Sequence, residues 1–339
     1  MKPLFKKLAI ALTFGSAMMM EASAQTVLRY SNFIPPDHIL RVKVFDPWIA
    51  NVEKVTNGRV KIEMAPKVVG TVAGQFDVVR DGLADVAVVV PSYTPGRFDL
   101  AEMIEIPFMG DRAERVAPVF HNFYTNNLLK HGEFNGVHVL SIFTNSPPLM
   151  FTAKRVPKSA DDMRGMKLRT SSTSMAQTVT LLGGVPIIKP VTEIYEMVAG
   201  GLVDGGFFPA VDHKSFKLTQ TLPKATVFPS GISCSAVALI INESKWRTIS
   251  AADREAIGKI SGEAMARIAG KAYDDGGNEV LEELRKGGGS VDTVSAEMMT
   301  ELRKRLLPVE QTWAEKAKKK GLADPAATLQ ALRTALAAR

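Results

Sequence analysis

The chain has 339 residues, 46% of them hydrophobic and 23% charged, with a formal net charge of +7 and a single cysteine. This balance suits one large or two medium globular domains, and one cysteine excludes an intrachain disulfide. No apolar run after the N-terminus is long enough to span a bilayer, and the modest basic excess, partly gathered in "EKAKKKG" at 315–321, indicates neither nucleic acid nor an anionic membrane as partner.

Residues 1–24 have the three parts of a secretory signal: Lys2, Lys6 and Lys7, the apolar stretch Leu8 to Met20, and the small-residue site Ala22-Ser23-Ala24. Cleavage before Gln25 removes three Lys and one Glu and leaves 39 basic against 34 acidic residues. No Cys follows the site to accept a lipid. The mature chain is therefore expected to be exported.

From there, short apolar runs alternate with helical patterns, the sign of an α/β protein. "TVLRYSNF" and "RVKIEMAP" read as strands around the helix "RVKVFDPWIANVEKVTNG", which Asn57-Gly58 ends. "QFDVVRDGLADVAVVVP" gives helix, turn and strand, and the helix "AERVAPVFHNFYTNNLLKHG" precedes the strand "GVHVLSIF". Met166 and Leu168 alternate in the strand "GMKLRT", which runs into Arg169 and the hydroxyls Ser171, Ser172 and Thr173. "GISCSAVALIIN" reads as a strand carrying Cys234 into the core, where a small buried residue is expected.

An internal echo links two of these units. Val78 to Val90, "VVRDGLADVAVVV", can be laid over Met197 to Pro209, "MVAGGLVDGGFFP", so that Gly82 and Asp85 match Gly201 and Asp204. It suggests two lobes of similar build, although a common helix-to-strand turn would also give it. Beyond about residue 250 the pattern changes to long helices over 250–288, 295–321 and 324–339, with starts at Ser250 and Ser295.

No nucleophile elbow, metal-binding helix or dinucleotide fingerprint is present, and the five histidines lack metal-ligand spacing, so no catalytic residue, metal or cofactor is predicted. Asp85 and Asp204 more simply order turns than act as paired carboxylates. His38, in the loop "NFIPPDHIL" after the first strand, stands where α/β proteins place ligand contacts, though a capping role fits it as well.

"GRVKIEMAP" with "VVGTV", "DGLADVAVV", "YTPGRFD", "EIPFMG", "DDMRGMKLRT" and "EIYEMVAGGLVDGGFFP", in this order and followed by a helical tail, resemble the substrate-binding subunit of tripartite ATP-independent periplasmic (TRAP) transporters, the DctP-type family. The resemblance implies a two-lobed α/β periplasmic-binding-protein fold with a cleft between lobes and long C-terminal helices bracing both. Lobe I would hold 25–148 and about 235–270, lobe II 149–234 and about 275–307, and the brace 308–339. It also implies a membrane partner, the small and large integral subunits; a periplasmic monomer that is not an enzyme is expected.

In this family the arginine at the position of Arg169 grips the carboxylate of an organic acid. A planar guanidinium offers two parallel donors to two carboxylate oxygens, which Lys cannot copy. Where many members carry a polar stretch ending in Asn, this chain has Phe207 and Phe208 before Pro209, and Leu149 stands where sialate-type members offer a second arginine. Such a wall favours a monocarboxylate with an aromatic or branched apolar tail, including 2-oxo or 2-hydroxy acids, because a highly hydroxylated or doubly charged ligand would bury polar groups without partners. Phe33, Tyr93 and Phe98 are candidates to complete the wall, although each fits a core position equally well; Ser171, Ser172 and Thr173 are candidates to cap the helix behind the arginine, and Arg97 could meet a second acid group, although a structural ion pair suits it better. The rival readings are a C4-dicarboxylate or sugar acid with Arg97 or His38 on the far carboxyl, a periplasmic enzyme using Asp204 and His213, and a partner of a sensor.

Overall fold

The computed structural model describes residues 25–338; the expected signal sequence lies outside them. Before the chain first crosses between lobes it forms strands β1 (Thr26–Ser31), β2 (Val60–Met64), β3 (Val86–Val89) and β4 (Val137–Thr144). After the crossing come β5 (Leu149–Thr152), β6 (Lys167–Thr170), β7 (Val185–Ile188), β8 (Gly205–Phe208) and β9 (Lys224–Val227). The chain then returns to the first sheet with β10 (Ala236–Asn242) and reaches the second again with β11 (Ser290–Thr293). One sheet has the order β2-β1-β3-β10-β4 and the other β11-β9-β5-β8-β6-β7, each mixed parallel and antiparallel.

Both sheets are covered on both faces, which is why their central strands are apolar throughout rather than alternating. In β3, Val86 and Val88 join one core cluster while Ala87 and Val89 join another. In β8, Phe207 joins a cluster with Met150 and Leu168, and Phe208 one with Phe151 and Ala225.

The echo in the sequence is a repeat in the structure. Asp85 accepts the Arg29 N–H at 2.8 Å through Oδ2, and Asp204 accepts the Lys167 N–H at 2.8 Å in the same way. Gly82 and Gly201 close the preceding helices with φ of 74° and 68°, the left-handed region glycine enters without steric cost. Each aspartate thus pins a parallel neighbour strand, β1 to β3 and β6 to β8, and both serve as turn residues.

The lobes are joined by helices as well as by crossings. Those bearing on the argument include α1 (Asp46–Val55), α2 (Gln75–Arg80), α3 (Ala113–Asn127), α4 (Thr173–Leu181), α5 (Ile194–Ala199), α6 (Ala210–Ser215), α7 (Glu243–Thr248), α8 (Ala251–Lys259) and α9 (Gly262–Lys286). After them come α10 (Ala296–Arg305), α11 (Leu307–Lys319) and α12 (Pro325–Ala337). Helix α9 packs on α3 and β4 of the first lobe and on α6 and β11 of the second. Helix α11 bonds both sides: Gln177 of α4 donates to Thr312 Oγ1 at 2.9 Å, and Trp313 Nε1 donates to the Asp99 carbonyl at 2.9 Å. By contrast, Leu329 and Leu332 of α12 join a first-lobe core.

Two of the long helices expected from sequence are each broken. Between α8 and α9 the chain leaves helical geometry at Ser261, and Gly262 follows with φ of 53°. The second break falls at Leu306, just before Pro308 in the first turn of α11, where a missing N–H costs nothing. Ser250 and Ser295 do cap α8 and α10, accepting from the Asp253 and Met298 N–H groups. Cys234 lies just before β10 rather than inside it; it is buried, and burial pushes its thiol pKa up. Among the described residues no helix is long and apolar enough to cross a membrane.

Candidate ligand cleft between the lobes

Arg169 stands in β6 and is 2% exposed. Three of its N–H groups have partners: Nε donates to the Lys189 carbonyl at 2.7 Å, Nη1 to the Phe207 carbonyl at 3.0 Å, and Nη2 reaches the Tyr93 hydroxyl at 3.5 Å. Among the described residues no Asp or Glu forms an ion pair with it. A buried cation held only by neutral oxygens is costly unless an anion completes it.

The local sequence makes room for this side chain. A Cβ on Gly206 would lie 3.0 Å from both the Cβ and the carbonyl oxygen of Arg169, the β8 residue opposite it in register. Ser172 accepts the Met175 N–H at 3.0 Å and caps α4, while Ser171 faces Ser235 across the cleft at 3.4 Å. Thr173, the third hydroxyl of the cluster, instead donates to Glu102 at 3.1 Å.

The cavity beside Arg169 has a free volume of about 610 Å³ including its mouth. Phe33, Ile34, His38 and Tyr93 line it from the first lobe, and Phe207, Phe208, Pro209 and Asp212 from the second. Asn145 and Ser235 lie on its floor, where the two crossing segments bond: Ser235 N–H donates to Asn145 Oδ1 at 2.7 Å, and Asn145 N–H to the Ser235 carbonyl at 3.0 Å. Tyr273 of α9 completes the wall.

The lobes touch through this cavity. The Tyr93 hydroxyl accepts the Val191 N–H at 3.1 Å, and burial raises its pKa, opposed by the Arg169 charge. His38 Nε2 meets Asp212 Oδ1 at 2.9 Å, while its Nδ1 accepts the Leu40 N–H at 3.1 Å. A ring nitrogen that accepts is unprotonated, so the proton sits on Nε2 and His38 is a neutral donor to the carboxylate. The cavity therefore carries one fixed positive group, Arg169, and one negative group, Asp212.

Of the residues expected here, Arg169, Tyr93, Phe33, His38, Ser171, Phe207, Phe208 and Pro209 are brought together. Phe207 contributes chiefly its carbonyl, because its ring packs toward Phe228 at 6.0 Å; the Phe208 ring stacks on Phe151 at 4.7 Å. Arg97 is not in the cavity. It pairs with Asp77 at 2.7 Å and lies over the Phe76 ring, so its charge is spent within the first lobe. Phe98 is a core residue, 5.2 Å from Phe76 and 4.8 Å from Phe134 between ring centres. Asp204 and His213 do not meet either: Asp204 holds β6, and His213 Nε2 bonds the Leu222 carbonyl at 2.9 Å. Sequence reasoning missed Asp212, Asn145, Ser235 and Tyr273. Carrying the repeat three residues past Val90 and Pro209 sets Tyr93 over Asp212, a signal that would have found it.

Two lobes that close on a cavity with an uncompensated guanidinium define a solute-binding receptor. The sequence matches, over residues 30–317, the family described as DctP, bacterial extracellular solute-binding protein family 7, and the chain belongs to it as the substrate-binding subunit of a TRAP transporter. A TRAP periplasmic solute-binding protein of Bordetella bronchiseptica with bound (R)- and (S)-mandelate is similar, with 34% identity, a TM-score of 0.88 and coverage of 92% of this chain and 99% of that one. A marine metagenome TRAP protein specific for aromatic acids, in complex with 3-hydroxybenzoate, has 27% identity and a TM-score of 0.88 over 93% of this chain and 99% of its own. The C4-dicarboxylate-binding periplasmic protein DctP of Rhodobacter capsulatus is 25% identical over 86% of this chain and 87% of its own.

Proposed function

We propose that the protein captures an organic monocarboxylate with an aromatic or branched apolar tail, a 2-oxo or 2-hydroxy acid among the candidates, and delivers it in the periplasm to its membrane subunits. The observation that carries this reading is Arg169, buried, cationic and met only by neutral oxygens at the cavity. Carboxylate oxygens would take its remaining N–H groups in charge-assisted hydrogen bonds. Phe33, Phe208 and Pro209 give the tail an apolar bed. Burying ~100 Å² of ring surface at ~25 cal/mol per Å² contributes about 2.5 kcal/mol before ordering costs.

Charge within the cavity supports a monoanion over a C4-dicarboxylate. Asp212 adds a negative charge to the same cavity, His38 is engaged as a neutral donor, and Arg97 is paired elsewhere. A second carboxylate would face Asp212 with no cation to hold it. The mandelate and 3-hydroxybenzoate bound by the two similar TRAP proteins fit the same ligand class. Ligand contacts made from both lobes at once would select the closed state.

Calorimetry with mandelate and its uncharged amide isolates the carboxylate. The acid is expected to bind about 100-fold tighter than the amide, in keeping with a buried charge-assisted pair. Equal affinity would refute the reading.

A further inference from the structure

We propose that Asp212, held by His38, reads a hydroxyl on the ligand: the acid this cavity takes carries an alcoholic or phenolic O–H that donates to Asp212 Oδ2. The proposal rests on the carboxylate reading above and adds a second recognition point to it.

Asp212 opens into the cavity from the first turn of α6 and is only 8% exposed. Its Oδ1 accepts from His38, whose Nδ1 is occupied by the Leu40 N–H, so the pair is a neutral imidazole bound to a carboxylate anion. Among the described residues, no Lys or Arg pairs with Asp212, and Oδ2 has no hydrogen-bond partner. Oδ2 is open to the cavity rather than sealed in the protein, so a ligand that fills the cavity and displaces its water must supply a donor or leave the carboxylate oxygen unpaired at a cost.

The other polar side chains at the cavity are mainly donors toward an acid. Arg169 has N–H groups to spare, and Asn145 uses its Oδ1 on Ser235, which leaves its amide N–H groups to face the space. A ligand carboxylate therefore belongs at Arg169 and is repelled at Asp212. Asp212 Oδ2 is placed to accept a donor from the same molecule, beside the hydroxyls of Tyr93 and Tyr273 that share the cavity. An ammonium would bring three N–H groups to a single free carboxylate oxygen with Phe33 and Phe216 nearby, and strand the others. A hydroxyl brings one donor to one acceptor.

The test compares mandelate and 3-hydroxyphenylacetate with phenylacetate by calorimetry, on the wild-type protein and on Asp212→Asn. In Asp212→Asn the side-chain oxygen can keep the His38 bond and turn an NH2 toward the cavity, replacing acceptor by donor. Wild type is expected to bind at least one hydroxylated acid about 10- to 100-fold tighter than phenylacetate, the range of a hydrogen bond to a charged group. Asp212→Asn should lose that preference and gain relative affinity for the 2-oxo acid phenylglyoxylate. Wild type that binds phenylacetate as tightly as both hydroxylated acids would overturn the proposal while leaving the carboxylate reading intact, whether or not the variant folds. A hydroxyl preference retained by folded Asp212→Asn would also overturn it. Binding of none of the acids would remove the carboxylate reading and this one with it.

Discussion

The two lobes use one device for different ends. In each, a helix stops at a left-handed glycine, and an aspartate pins the neighbouring parallel strand, Asp85 to β1 and Asp204 to β6. In this register Ser31 opposite Ala87 corresponds to Arg169 opposite Gly206. The Ser31 hydroxyl donates to Gln75 at 2.7 Å and accepts the Val69 N–H at 2.9 Å, so its bonding closes within its own lobe. Arg169 ends at the cleft with donors to spare. Four residues past the matched strands, the first lobe presents the neutral hydroxyl of Tyr93 and the second the carboxylate of Asp212. A shared scaffold thus carries both fixed charges of the site in the second lobe, and the first closes over them with neutral groups.

Exchanging matched positions breaks this comparison most sharply at Arg169. Arg169→Met should weaken mandelate binding by about 100-fold or more in calorimetry while the melting temperature stays within a few degrees, because a buried unpaired cation contributes little to folding. Ser31→Ala should do the reverse: affinity unchanged, and stability lower by ~1–3 kcal/mol in denaturant titration, because Gln75 and the Val69 N–H lose their partner. A retained affinity in the first variant, or a lost affinity in the second, would reverse the assignment of roles.

Gly206→Ala should have a smaller effect. Its Cβ would press on the Arg169 Cβ and carbonyl at 3.0 Å and displace the guanidinium by a few tenths of an ångström. Roughly tenfold weaker binding is expected, since ligand geometry tolerates little misplacement. At the counterpart, Ala87→Gly should leave affinity alone and cost about 0.5–1 kcal/mol of stability.

The smallest effect is expected where the lobes meet away from the ligand. Glu102 of the first lobe accepts from Thr173 of α4 at 3.1 Å and from Lys316 of α11 at 3.1 Å. Burial, reinforced by the charge of Glu102, pushes the neighbouring Glu105 carboxyl up from 4.5 to about 8. Folding therefore takes up a proton between these values, and the contribution of Glu105 falls as pH rises toward 8. Burial of Glu133 raises its pKa to about 7 and acts in the same sense. Buried His121 and His213 and half-buried His138 have values lowered by desolvation and act oppositely below about 6.5. Between pH 7 and 8.5 the melting temperature should therefore fall by a few degrees more in wild type than in Glu105→Gln. Parallel pH profiles would show that Glu105 does not titrate there.

The same contrast governed what sequence could reveal. All five strands of the first sheet were legible, because "TVLRYSNF", "RVKIEMAP" and their partners are long or bounded by clear turn signals. In the second sheet only β6 and β8 were. Strands β5, β7, β9 and β11 are as short as β6 and β8, four residues each, but lack the glycine-aspartate turn or the motif that marked those two, and β7 is an edge strand containing Pro186. At the site, Arg169 stood out as a strand-end arginine within a family motif. Asp212, Asn145, Ser235 and Tyr273 did not, since crossings and a distant helix bring them together and no local pattern encodes that. For Arg97 the structural ion pair prevails over a ligand contact: Asp77 and the Phe76 ring, about 20 residues upstream on α2, take its charge.

The most direct measurement is a crystal structure of the protein grown with mandelate. The account predicts both carboxylate oxygens within hydrogen-bond distance of the Arg169 guanidinium and the phenyl ring against Phe33 and Pro209. A carboxylate bound away from Arg169, with that guanidinium paired to an Asp or Glu of the protein, would contradict it.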